Sequence, residues 1–201
     1  MGLVVVTAAA SEPVSIADLK SQLRITADDE AALLQRKVKA AREWAERFLN
    51  RQLAFPVTYD WKMDDFPFGS SSTWGWSSDR LTVPRPPLQS VTSINYVDAN
   101  GAPQTFSAAN YVVDGTEEPG RIILAYGQAW PTTRMQANAV TIRLVAGATA
   151  AHLVPEAIRE GIVMLAADLF ENRENTVIGD VVNELPNGVR DLLGPYRIYP
   201  L

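Results

Sequence analysis

The side chains that most often carry catalysis are sparse in this 201-residue chain. It has one histidine, His152, and no cysteine, which rules out a usual zinc site. No serine sits in a nucleophile-elbow context, and no P-loop, dinucleotide-binding glycine pattern or HExxH motif occurs. His152 therefore reads as structural or incidental. Adjacent carboxylates occur at Asp28/Asp29, Asp64/Asp65 and Glu117/Glu118. Neighbouring acids on a strand point to opposite faces, and at a helix start they complement the macrodipole. Acid–base work needs two carboxylates facing each other across a cleft, and these spacings do not supply that. The expectation is no enzyme, no catalytic or metal-ligating residue and no cofactor.

The residues with chemistry to offer are those of molecular contact. Asp64–Asp79 (DDFPFGSSSTWGWSSD) is rich in serine and glycine yet carries Phe66, Phe68, Trp74 and Trp76. Exposed aromatics on a loop mark contact surfaces, which suggests an inter-subunit or partner-binding loop. The competing reading is a long hairpin whose aromatics fold back over a sheet. At the C-terminus, Gly194-Pro195 breaks a helix and is followed by Tyr196, Arg197, Ile198, Tyr199 and Leu201. Tyr and Arg are enriched at binding hot spots, so Leu192, Leu193, Pro195 and this tail form a second candidate docking set. Its alternative is a tail folded over its own core. A different function class, a carbohydrate- or ligand-binding module, would use Trp74, Trp76 and Trp130 as an aromatic platform.

The elements that must position these residues follow from periodicity. Ser15 and Asp18 form a capping box before an apolar face of Ile16, Leu19 and Leu23. A longer helix is predicted from about Asp28 to Arg51, with Leu34, Val38, Ala41, Ala45 and Phe48 at helical spacing. Its opposite face, including Arg42, Glu43, Glu46 and Arg47, reads as solvated or as a subunit interface. From Phe55 the period falls to two: Val57, Tyr59, Trp61 and Met63 alternate with polar residues. Further strands are expected at 81–83, 91–97, 111–113, 122–124 and 140–145, with a hairpin signal at Asn100-Gly101. Helix returns after Pro155 with Ile158, Ile162, Leu165 and Leu169, and a short helix near Asn187 contains Val189, Leu192 and Leu193.

The fold class expected is therefore α+β: a helical body with an inserted antiparallel β subdomain. The predicted divisions are 1–54 (an N-terminal arm or strand, then helices), 55–150 (β subdomain), 151–185 (core helix and loop) and 186–201 (short helix and tail). The net charge is −5, and no run of Lys/Arg invites tight phosphate binding. The apolar start lacks the basic residues of a signal peptide, and no run approaches the length of a membrane span. Cysteine absence suits a reducing cytoplasm.

The order of segments resembles the head-to-tail connector (adaptor) family of tailed bacteriophages and gene transfer agents. The likeness rests on Pro13-Val14-Ser15-Ile16-Ala17-Asp18-Leu19-Lys20 through Leu23-Arg24-Ile25, then Asp28-Asp29-Glu30 leading into a long helix. It continues at Val83-Pro84-Arg85-Pro86-Pro87-Leu88, Gly120-Arg121-Ile122, Trp130-Pro131, Ala146-Gly147 and Val154-Pro155. It ends at Glu171-Asn172-Arg173-Glu174, Leu185-Pro186 and Leu192-Leu193-Gly194-Pro195-Tyr196-Arg197. The resemblance implies a structural subunit of a virion or particle neck, assembled in the bacterial cytoplasm. It implies a ring of copies, commonly a dodecamer, beneath the portal, with duplex DNA passing through the lumen. The implied partners are the portal protein, bound through the C-terminal segment, and a stopper or tail-completion protein.

Overall fold

The computed structural model describes residues 2–26, 30–67, 80–172 and 187–199. The chain forms two compact units, one of residues 1–9 and 56–147, the other of residues 10–55 and 148–201.

The second unit is helical. Helix α1 (Ile16–Leu23) starts as its sequence dictates: the Ser15 hydroxyl accepts from the Asp18 N–H at 3.1 Å, and the Asp18 carboxylate accepts from the Ser15 N–H at 2.9 Å. These reciprocal bonds hold the Asp18 carboxyl below its ordinary pKa, the Ser15 backbone donor first among the causes. Helix α2 (Ala31–Leu49) is capped at its far end by Asn50 in the left-handed region, φ 56°. Its buried stripe is Leu34, Val38, Ala41, Ala45 and Leu49. Asp28 and Asp29 lie outside the described residues.

Helix α3 (Glu156–Glu171) follows Pro155, which occupies the cap position, one residue before the first helical position expected for it. It buries Ile158, Ile162 and Leu165 against the α2 stripe in one cluster. Helix α4 (Asn187–Leu193) closes that core with Val189 and Leu193, both fully buried. A Cβ added to Gly161 of α3 would lie 3.0 Å from Leu193 Cδ2, so the glycine is what lets α4 approach α3.

The first unit is two antiparallel sheets. Strands β1 (Gly2–Thr7), β2 (Val57–Met63), β8 (Val140–Ala146), β4 (Leu88–Val97) and β5 (Pro103–Phe106) lie side by side in that order. The smaller sheet has the order β3 (Arg80–Thr82), β7 (Arg121–Leu124), β6 (Tyr111–Asp114). In β2 burial alternates residue by residue, as a two-residue period requires. The β4–β5 hairpin turns at Asp98–Gly101, where the Asp98 carboxylate accepts from the N–H groups of Asn100 (2.9 Å) and Ala102 (3.0 Å), and Gly101 has φ +89°. Among the described residues every strand pairing is antiparallel, so the α+β class read from the sequence holds.

Two expectations shift. The N-terminal segment, grouped by sequence with the helices, is strand β1 of the sheet unit, paired from Gly2↔Lys62 to Thr7↔Thr58. Strand β5, absent from the periodicity reading because Gln104 and Thr105 are polar, is the partner that Asn100-Gly101 turns into.

Candidate assembly surfaces

The C-terminal segment is anchored to the helical unit at several points. Leu193 is fully buried in the core and Leu192 partly buried, while Pro195 is exposed. Beyond the break, the Arg51 guanidinium donates to the Tyr196 carbonyl at 2.8 Å, and the Ile198 N–H donates to the Leu49 carbonyl at 3.0 Å. Tyr196 packs against the helical core. Leu193, Tyr196 and Ile198 are thus committed to their own unit, as the fold-back alternative required, because α2 ends with carbonyls that need donors.

Outside this anchor lies an accessible layered set. Trp44 and Phe48, one helical turn apart on α2, stack with centroids 5.1 Å apart and planes at 11°. The Arg197 guanidinium lies 5.0 Å from the Phe48 ring centre and 5.1 Å from that of Tyr199. Arg197 is exposed, and Tyr199 is 68% exposed. The stack holds a planar cation and an aromatic face together at the surface. Leu201 lies outside the described residues.

Phe66, expected on an exposed loop, is 2% exposed. It stacks on Trp130 (4.9 Å, 8°), meets Tyr96 edge to face and lies tilted against Phe106. The loop's start is also tied down, since the Asp64 carboxylate accepts from the Asn138 N–H at 2.9 Å. Phe66 is buried because it follows β2 closely and joins that strand's core face. Phe68, Trp74 and Trp76 lie outside the described residues. Trp130, the third member of the suggested ligand platform, has a ring face covered by Phe66.

The face of α2 read as solvated contains a buried ionic network. Arg42 and Glu46 are each 8% exposed. Arg42 pairs with Glu46 at 2.7 Å and with Glu12 at 2.8 Å. One Glu46 oxygen also accepts from Gln52 Nε2 (2.6 Å) and the N–H groups of Leu53 (2.9 Å) and Ala54 (3.0 Å). Burial alone would lower the Arg42 pKa, but the bonds and charges of Glu12 and Glu46 outweigh it and the net shift is upward. Sequence reasoning missed this group; the signal available was Arg42-x-x-x-Glu46 on a helix followed, after Asn50-Arg51-Gln52, by the apolar run Leu53–Phe55.

Several other carboxylates make structural bonds. Asp114 accepts from Thr116 and Arg121, which lower its pKa to about 2, and Glu117 pairs with Arg121 at 2.8 Å. Asp60 forms a two-pronged pair with Arg143 at 2.8 and 2.9 Å. His152 is exposed on a short 3₁₀ turn. Among the described residues no His/Asp/Glu cluster suited to a metal occurs, and no helix is long and apolar enough to cross a membrane.

Residues 13–73 match the family model described as phage gp6-like head-tail connector protein. That span holds the capping box, α1, α2 and β2. Three solved chains are similar over 100% of this chain and 97% of their own, each at 22% identity. They come from the virion of a native gene transfer agent particle (TM-score 0.76), the neck of an empty particle computed with C6 symmetry (0.75) and the neck of a native particle computed with C12 symmetry (0.70). No curated protein matches the chain. The family resemblance read from the sequence is borne out, and at this identity the solved chains establish a common fold.

Proposed function

We propose that this chain is a head-to-tail connector: a structural subunit, not an enzyme, that forms a ring of copies beneath the portal of a phage or gene transfer agent particle. It extends the DNA channel and links the capsid to the tail. The observation that carries this reading is that one fold accommodates the whole chain and nearly the whole of particle-neck chains, while residues 13–73 match the connector family. Asp64, Asp65 and Glu117 each make a structural bond, which supports a structural part for them. The reading extends to a dodecameric ring, to a stopper or tail-completion protein on the tail side, and to assembly in the bacterial cytoplasm.

Within it, the exposed part of the C-terminal segment is the portal-docking element. Arg197 and Tyr199 supply the contact, with Pro195 and Leu201 flanking it. Leu192, Leu193, Tyr196 and Ile198 hold the segment in place. Phe68, Trp74 and Trp76 remain the proposed contact residues toward neighbouring copies or the tail-side partner.

The test is co-purification with a portal protein from the same genome. The double variant Arg197→Ala with Tyr199→Ala should keep its fold, as judged by melting temperature, and lose portal binding by about a hundredfold, the scale of a hot-spot pair. Undiminished binding by the folded variant would end the docking assignment. A wild-type chain that is absent from purified particles would end the connector reading.

A further inference from the structure

The large sheet has two outer strands, and they are treated differently by the sequence. Strand β5 has four residues and begins with Pro103, which has no N–H to offer. In the small sheet the outer strands are also short, and each carries a charge, Arg80 in β3 and Asp114 in β6. Short length, charge and proline are the usual devices that stop an edge from pairing with another chain. Strand β1 has none of them. Its six residues, GLVVVT, are uncharged, and its regular register with β2 runs from Gly2 to Val5. Val4, Val5 and Val6 are 48%, 54% and 46% exposed, on both faces of the strand. A strand meant to face water would alternate.

The same unit carries a second group of exposed apolar side chains: Val112 at 57%, and Tyr126 and Met135 with their whole surfaces in solvent. These belong to the β5 side. The Arg134 N–H donates to the carbonyl of Val97 at the end of β4, placing Met135 beside the β4–β5 hairpin. Tyr111 stacks on Phe106 of β5 (6.0 Å, 14°), which brings Val112 there, and the Ala125 N–H bonds the Asn110 carbonyl, which brings Tyr126. Strand β1 is four strand positions away from β5 in the sheet, about 19 Å at the usual spacing. The unit therefore has two unlike apolar patches toward opposite edges of one sheet.

Closed rings are built from such a pair of unlike surfaces, each copy's first meeting the next copy's second. We propose that β1 docks on a second copy of this chain, its valines packing against the neighbour's Val112, Tyr126 and Met135, and that this is a head-to-tail contact of the ring. The inference rests on the connector reading, and it adds the two surfaces that meet. A six-residue strand covers well under the roughly 800 Å² per partner of a stable pairwise interface. One contact is consequently weak, and ring closure supplies the avidity.

The experiment uses the full chain co-expressed with a portal protein from the same genome, with rings counted by electron microscopy and native mass spectrometry. Val4→Lys with Val6→Lys should lower ring occupancy about tenfold, equivalent to about 1.4 kcal/mol. Tyr126→Glu with Met135→Glu should do the same. All four substitutions in one chain should restore rings, because opposite charges then face each other across every contact. Val4→Thr with Val6→Thr, which keeps the strand's shape, should give a smaller loss with an unchanged melting temperature. Full rings from the folded lysine variant overturn the proposal, as does failure of the four-fold variant to assemble better than either pair. Wild-type chains that bind the portal without forming rings overturn the ring reading itself, a result distinct from the other two.

Discussion

Glu46 lies one turn beyond Arg42 on α2, and its carboxylate receives the Arg42 guanidinium on one oxygen and three N–H donors from Gln52–Ala54 on the other. The helix thus holds the strand of chain that leaves it. Arg42 reaches in the other direction to Glu12, in the segment that enters α1. A two-residue bridge, Ser11↔Phe55, sits beside this network. Entering and leaving segments are fixed to one helix by two side chains.

Breaking this network should be costly in proportion to what is left unpaired. Glu46→Ala leaves a buried guanidinium and two orphaned backbone donors, and should cost about 3–5 kcal/mol. Glu12→Gln, at the network's more exposed end, should cost under about 1 kcal/mol. Urea denaturation followed by circular dichroism measures both. Equal losses would mean that the buried and exposed ends are energetically alike.

Acid should weaken the sheet unit at a defined place. Bonds from Thr116, then Arg121, hold the Asp114 pKa at about 2, against about 3.9 in an unfolded chain. A depressed folded pKa contributes stability above the unfolded value, and that contribution is lost as pH falls from about 4 through about 2. Asp60 is depressed in the same direction, by Arg143. Asp114→Asn should therefore flatten the dependence of melting temperature on pH below 4, with little change in its form above 5.

Gly120 illustrates a motif residue whose reason is steric. A Cβ there would stand 2.7 Å from Leu88 Cβ and 2.9 Å from Leu88 Cδ2. Leu88 is 6% exposed and has nowhere to move. Gly120→Ala should cost about 1–3 kcal/mol through overpacking, visible as a lowered urea midpoint with an unchanged slope.

A channel subunit that lets DNA pass should not hold it. With a net charge of −5, the purified chain should show no submicromolar binding to duplex DNA in fluorescence anisotropy at about 0.15 M salt. Tight binding that collapses with added salt would contradict the conduit role.

Much of this was legible from sequence. The capping box of α1, the stripes of α2 and α3, the β2 alternation and the Asn-Gly hairpin are local signals, and each appears where its period put it. What escaped depends on partners distant in the chain. Phe66 looks like a loop aromatic until Trp130 and Phe106 arrive from 40 and more positions away. Arg42 and Glu46 look solvated until Glu12 and Ala54 cover them. Strand β1 has no alternation because its valines are exposed on both faces, so periodicity could offer only a strand or an arm. Of the C-terminal tail, the helix break was readable from Gly194-Pro195, whereas the return of Ile198 to the Leu49 carbonyl was not.

The chain passes between its two units at residues 9–10, 55–56 and 147–148, and this has a consequence for synthesis. Strand β1 is made well before the partner that fixes it, β2, which ends at Met63, so three exposed valines travel unpaired until roughly 60 further residues have followed. The helical unit waits longer still. Its core is complete only when Leu193 reaches the space beside Gly161. A ribosome that stops after residue 147 releases all the strands of the sheet unit but leaves the helical core open. Only chains made through Leu193 can therefore present a finished helical unit, and a product that ends after α3 but before α4 is recognisable to proteases by the α3 surface that Leu193 would cover.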